Sequence, residues 1–238
     1  MDSRLSALLA QSKYAIFFGG AGVSAASGIP TFRGKGGIYN TENRWNLPPE
    51  TILSRTFFER SPDIFFDYYR ENLLHEDALP NAVHRALARL EREGTIKAVI
   101  TQNIDGLHQA AGSERVLELH GSVRSNTCTL CKKKAPLSAV LNAQGIPRCA
   151  CGGILKPDVV LFEEPLPEGV FEQAFREVER ADLLIVAGSS LTVVPAAYLV
   201  EYFHGGRLVL LNRDETPFDA RADLVLHEPM ECVFTDEE

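Results

Sequence analysis

Four of the five cysteines fall in one short stretch, Cys128-Thr129-Leu130-Cys131 and Cys149-Ala150-Cys151, with 17 residues between the pairs. Two short thiolate turns can supply the four corners of a tetrahedral zinc site. Four sulfurs complete the coordination shell, so the expected ion is a structural Zn2+, one per chain, rather than an activator of water. Cys232 stands apart near the end of the chain and reads as a small apolar residue rather than a nucleophile.

A second group of residues points to phosphate chemistry. Gly20-Ala21-Gly22-Val23-Ser24-Ala25 follows the apolar run Tyr14–Phe18, giving the order strand, glycine turn, helix start. Glycines there let backbone N–H groups approach a pyrophosphate closely. The acidic residue that ordinarily holds the ribose in a hydride-transfer enzyme is missing, because Glu42 and Glu50 lie outside any second-strand pattern. Three further apolar runs end in polar or small residues: Gln102, Asn103 and Asp105 after 97–101, Gly188-Ser189-Ser190 after 182–187, and Asn212 after 207–211. Asn103 and Asp105 read equally well as caps of a following helix. His120, in Leu119-His120-Gly121, titrates in the range that suits a general base at neutral pH. A lone histidine is more often a satisfied core or surface residue.

These residues need a scaffold that brings strand ends together. The runs 14–18, 97–101, 158–162, 182–187, 207–212 and 222–226 are short and nearly continuous in apolar residues, and helical patterns stand between several of them. That is the signature of an α/β fold, a Rossmann-like, mostly parallel sheet with helices on both faces. Ligands of such sheets bind at the carboxyl ends of the strands. Residues 36–80, rich in aromatics, and 122–155, with the cysteine pairs, interrupt the rhythm. They are expected to form a smaller helical and zinc-binding domain, made by two insertions.

Bulk properties exclude other classes. A formal charge of −8 argues against a general grip on nucleic acid. No apolar run reaches membrane-spanning length and no leader pattern opens the chain, so a cytoplasmic protein is expected. The lysine run 132–134 beside the zinc turn is the one feature that suits a zinc-ribbon binding module without enzymatic activity.

Taken in order, Gly20 through Arg33, Thr101 through His108, Leu119-His120-Gly121, the four cysteines and Gly188-Ser189-Ser190-Leu191 resemble the motifs of the sirtuin family over nearly the whole chain. The resemblance implies one catalytic domain, 1–238. Its large part would be 1–35, 81–121 and 156–238, and its small part 36–80 and 122–155. It implies an NAD-dependent protein-lysine deacetylase that transfers the acyl group to ADP-ribose and releases nicotinamide.

On that resemblance, the pyrophosphate lies over Gly20, Ala21, Gly22 and Ala25, with Thr31 and Arg33 nearby. The nicotinamide sits near Ile29, Ile104 and Asp105, and Phe32 shields the face it vacates. Gln102 and Asn103 hold the ribose and a water, while Gly188, Ser189, Ser190, Asn212, Arg213 and Cys232 surround the adenosine. His120 takes a ribose hydroxyl proton, with Asn103 as its catalytic companion. An acyl-lysine peptide lies extended between Val159, Val160 and Phe162 on one side and Val193 on the other.

Three departures from the family pattern are visible. Glu163 stands where a glycine is usual, Gly19 replaces a threonine, and Thr31 replaces an aspartate. Relatives that remove succinyl or malonyl groups carry Tyr-x-x-Arg on a pocket helix; here the comparable stretch sets Asp67 three residues before Arg70. Deacetylation is therefore expected over desuccinylation, and mono-ADP-ribosyl transfer is the enzymatic rival.

Overall fold

The computed structural model describes residues 1–32, 37–40 and 43–234. Its strands are β1 (Ala15–Gly19), β2 (Ile96–Thr101), β3 (Val116–Glu118), β4 (Gly121–Cys128), β5 (Lys134–Pro136), β6 (Leu155–Val159), β7 (Leu183–Ala187), β8 (Arg207–Leu211) and β9 (Leu224–Leu226). Its helices are α1 (Ser3–Gln11), α2 (Pro49–Ile52), α3 (Arg55–Arg60), α4 (Pro62–Asn72), α5 (Ala82–Arg92), α6 (Leu107–Ala110), α7 (Ser138–Leu141), α8 (Val170–Arg180), α9 (Tyr198–Glu201) and α10 (Met230–Val233).

The main sheet runs β3-β2-β1-β7-β8-β9, and every pairing in it is parallel. Alternation of the strand residues divides two cores. Phe17, Val99, Ile185 and Val209 pack under α1 and α5, while Ile16, Phe18, Leu184 and Leu210 pack under α8 and α9. All five residues of β1 and of β7 are buried, as expected of central strands covered on both faces. α5 shows why its sequence is helical. Val83, Ala86, Leu87 and Leu90 recur on one buried face, Asn81 caps the first turn, and Gly94 follows the last turn at φ +75°.

A second sheet, β5-β4-β6, is antiparallel. It takes the segment expected as a strand over 158–162: β6 spans Leu155–Val159 and pairs with β4, not with the main sheet. The reason lies in its burial, which alternates along Leu155-Lys156-Pro157-Asp158-Val159, the pattern of a sheet with one wet face. A third core joins the two interrupting stretches. Phe58, Phe65, Phe66, Tyr68 and Tyr69 pack with Val123, Val140, Val159 and Leu161. Arg70 ties them further by donating to the carbonyls of Val140 and Ala143, both at 3.2 Å, and of Gly145. Among the described residues no helix is long and apolar enough to cross a membrane.

Candidate active site and metal centre

Register in the main sheet sets Glu118, Thr101, Gly19, Ala187, Leu211 and Leu226 side by side in one row. Whatever follows these residues emerges along one edge of the sheet: His120, Gln102 and Asn103, Gly20, Gly188 and Asn212. Chain order leaves β1 toward β2 and β3 on one side, then resumes at β7 on the other, so the topological switch point lies between β1 and β7. Open α/β sheets bind their ligands there.

The glycines at that point interlock. The Gly22 N–H donates to the Gly188 carbonyl at 2.9 Å, and a Cβ on Gly22 would stand 2.6 Å from the Gly188 Cα. A Cβ on Gly20 would stand 2.6 Å from the Gly188 carbonyl oxygen. Side chains at these positions would push the two loops apart. Residues 21–27 form a 3-10 helix rather than the start of an α-helix. Ala21 and Gly22 are half-buried and Ala25 is exposed on that segment.

The polar turn after β2 is tied to the same segment. The Ser24 hydroxyl donates to Asp105 Oδ2 at 2.7 Å and receives Asn103 Nδ2 at 3.0 Å. Asp105 also accepts the Leu107 N–H at 2.9 Å, at the start of α6. Ser189 donates to Gln102 Oε1 at 3.0 Å, which leaves Gln102 Nε2 buried without a partner. An orphaned amide donor at a strand end fits a ligand oxygen such as a ribose hydroxyl.

His120 Nδ1 lies 2.9 Å from the Gln102 carbonyl oxygen. A carbonyl can only accept, so Nδ1 carries the proton and Nε2 keeps its lone pair. Burial lowers the pKa of His120 below its usual 6.5, outweighing the Gln102 contact that raises it. The ring is therefore a neutral base at physiological pH. Gly121 follows it at φ +72°, where a Cβ would strike the Asp158 carbonyl oxygen.

A cavity of about 230 Å³ opens beside the polar turn after β2, and His120 is not among its lining residues. Ala21, Ser24, Ile29, Phe32, Asn103, Ile104 and Asp105 are among the residues that line it, with 72–76 and 78–80. Thr31, half-buried, hydrogen-bonds through its carbonyl to the Ile38 N–H at 2.9 Å. Arg33 lies outside the described residues.

On the β6 side, the Val160 N–H donates to the His120 carbonyl at 2.9 Å, so this segment adjoins the base. The Phe162 N–H donates to the Leu53 carbonyl and the Phe162 carbonyl accepts the Arg55 N–H, both at 3.0 Å. Phe162 is 43% exposed, which leaves its ring and not its backbone for contacts. Residues 193–195 bend into α9, and the Val193 carbonyl accepts the Ala197 N–H at 2.9 Å. Glu163 holds a left-handed backbone at φ +75°. Its carboxylate accepts the Thr56 N–H at 2.9 Å and hydroxyl at 2.7 Å, at the N-terminus of α3. That cap offsets the strain of a side chain where glycine would be free.

At the far end of the row, Asn212 Nδ2 donates to the Asp214 carbonyl at 2.7 Å, and Ser190 and Arg213 are exposed. Cys232 is exposed on α10. The helix turns Val233 and Phe234 into the core instead.

The four cysteine sulfurs all lie within 4.8 Å of one another. Cys128 and Cys151 are 3.4 Å apart, Cys131 and Cys149 3.6 Å. A tetrahedral site with zinc–sulfur bonds of roughly 2.3 Å needs sulfurs roughly 3.8 Å apart, so the residues fit the ion. The backbone N–H groups of Cys131, and then of Leu130, draw the Cys128 pKa down to about 6 despite burial. At Cys131 the Lys133 amide lowers the pKa, but the Cys151 and Cys128 sulfurs outweigh it and push it up to about 11. A divalent cation among the four removes that crowding of thiolates.

Two residues of this arrangement escaped the sequence reading. Ser24 sits within the glycine turn without a distinguishing mark, and nothing in the sequence sets Asn81 apart.

The fold and its strand-end cleft define a class, the dinucleotide-binding α/β proteins. The profile of the Sir2 family matches residues 20–195. The chain is 50% identical over 225 residues to an NAD-dependent protein deacetylase of Cutibacterium acnes, covering 94% of this chain and 92% of the relative. It is 48% identical over 228 residues to an NAD-dependent protein deacetylase of Clostridium acetobutylicum, covering 95% and 93%. A solved Sir2 homologue complexed with ADP ribose superposes with a TM-score of 0.89 at 42% identity, covering 98% of this chain and 94% of that one. A complex of Sir2 with a p53 peptide and NAD+ superposes at 0.85 with 39% identity, covering 96% and 94%. The chain belongs to the Sir2 family.

Proposed function

We propose that this chain is an NAD-dependent protein-lysine deacetylase, acting on acyl-lysine proteins or peptides in the cytoplasm and carrying one structural Zn2+ on Cys128, Cys131, Cys149 and Cys151. The observation that carries this reading is the His120–Gln102 contact, which leaves Nε2 as a free base on the strand-end row that also bears Gly20. NAD, when bound, supplies a ribose carbon that the acyl oxygen attacks as nicotinamide leaves, and its ribose then receives the acyl group.

The chain's own residues account for the rest. The interlocked turn at Gly20, Ala21 and Gly22, bare of bulky side chains, lets the pyrophosphate approach the backbone closely, with Ala25 and Thr31 beside it. Ile29, Ile104 and Asp105 hold the carboxamide end, with Phe32 closing over it. Gln102 Nε2 finds its missing acceptor on the ribose. Asn103, fixed by Ser24, orients a water. His120 Nε2 takes a ribose hydroxyl proton and holds it as imidazolium, which the Gln102 carbonyl stabilises through Nδ1–H. Gly188, Ser189, Ser190, Asn212, Arg213 and Cys232 receive the adenosine. Val159, Val160, Phe162 and Val193 guide the acyl-lysine. The whole works as a single catalytic domain, with the main sheet and its helices as the large part and 36–80 and 122–155 as the small one.

Acetyl is favoured over succinyl because Arg70 is committed to three backbone carbonyls. It is not free to meet an acidic acyl group, and burying an unpaired carboxylate is costly. The test is mass spectrometry of an acetyl-lysine peptide incubated with the chain, with and without NAD. Loss of the acetyl group only with NAD, together with O-acetyl-ADP-ribose, supports the reading; ADP-ribose attached to protein without deacetylation overturns it.

A further inference from the structure

The segment Ala21–Ser27 is held at three places. Gly22 bonds Gly188, and Ser24 bonds Asn103 and Asp105, all within the cleft. The third hold comes from outside. Asn81, the residue before α5, donates through Nδ2 to the Val23 carbonyl at 2.8 Å and to the Ser27 hydroxyl at 3.0 Å. Its Oδ1 accepts the N–H groups of Val83 at 3.0 Å and His84 at 3.4 Å. Its own N–H donates to His84 Nδ1 at 3.3 Å. One amide thus spends every hydrogen bond it has, half on capping a helix and half on the segment behind the glycine turn.

We infer that Asn81 is a positioning residue for the dinucleotide: it sets the height of the Gly20–Gly22 turn above the sheet. This rests on the turn being the NAD site. Val23 transmits the effect. It is 1% exposed, its N–H closes back on the Gly20 carbonyl at 3.0 Å, and a Cβ on Gly188 would stand 2.6 Å from its nitrogen. The loop therefore cannot shift at Val23 without disturbing the Gly20–Gly188 interlock. Capping alone does not require an amide, because aspartate and serine cap as well as asparagine. Holding the Val23 carbonyl does require a donor, and among capping side chains only asparagine carries donor and acceptor at that reach.

The test separates the two roles. Asn81→Asp keeps the cap and turns an acceptor toward the Val23 carbonyl. The expected result is a KM for NAD raised roughly three- to tenfold, the range given by one or two lost hydrogen bonds, with kcat, the KM for acetyl-peptide and zinc content within about twofold of wild type. Ser27→Ala removes one acceptor and should shift the same parameter less; it remains informative if the first variant folds poorly. An unchanged KM for NAD in either folded variant, or a fall in kcat alone, overturns the inference while leaving the enzyme assignment intact. A wild-type chain with no NAD-dependent turnover overturns both.

Discussion

The Nδ1–H of His120 points at the Gln102 carbonyl, 2.9 Å away, joining the segments that follow the paired strands β3 and β2, 18 residues apart in the chain. This contact sets the tautomer, and with it the atom that can act as base. His120→Ala should lower deacetylation by about a hundredfold or more while leaving zinc content and melting temperature near wild type. Because burial lowers this pKa, the neutral form dominates at pH 7. Turnover should rise with pH through a midpoint below 6.5 and then level. A midpoint above 7 in the kcat/KM profile would contradict the assignment.

The glycine interlock predicts intolerance to one methyl group. Gly22→Ala would place a Cβ 2.6 Å from the Gly188 Cα, a backbone contact that cannot give way cheaply. We expect NAD binding, followed by calorimetry, to weaken at least about tenfold and stability to fall by about 1–3 kcal/mol.

Zinc removal should act on the small antiparallel sheet first. The sulfurs sit on the Cys128 end of β4 and on the turn before β6, so the ion staples the pairing of these two strands. Cys131→Ser, or a strong chelator, should release one zinc per chain and unfold this module, visible as lost near-ultraviolet dichroism. Retained dichroism after complete metal loss would remove the structural role.

Arg70 makes the acyl preference testable. On matched peptides, kcat/KM for acetyl-lysine should exceed that for succinyl-lysine by at least about tenfold, the ratio that about 1.4 kcal/mol of desolvation yields. A faster desuccinylation would show that the arginine leaves its carbonyls.

Acid should destabilise the fold through two buried rings. His84 and His108 stack edge to face with centroids 4.7 Å apart, and burial lowers their pKa values to about 4 and about 3. The unfolded chain, titrating near 6.5, binds more protons than the folded one below that pH. Their contribution is therefore complete above pH 6.5 and is lost progressively as pH falls toward 4 and then 3. Denaturant midpoints measured from pH 7 to pH 4 should decline, and His108→Gln should flatten the decline.

Local signals carried much of this molecule. The apolar runs at 14–18, 97–101, 182–187 and 207–212 were legible as buried strands, and form them within one residue at each end, because each is continuous in side-chain character, a property of neighbours in the chain. The cysteine spacing was legible for the same reason, since both halves of the metal centre are short turns. His120 was visible as a residue type, although not its tautomer, which depends on a carbonyl of another strand.

Tertiary structure decided the rest. The segment 158–162 reads as one more apolar run, yet the strand forms over 155–159 and its partner is β4, because strand pairing is a contest between distant surfaces that no window of sequence contains. Glu163 tolerates its left-handed backbone only because Thr56, far earlier in the chain, receives its carboxylate. Asn81 caps α5 through its own neighbours, but its second pair of bonds exists only because the N-terminus of α5 meets the segment behind the glycine turn. Composition and periodicity determine which elements form. The strand register alone brings Gly20, Asn103, His120 and Gly188 to one edge, since that alignment is won by packing the two faces of the sheet.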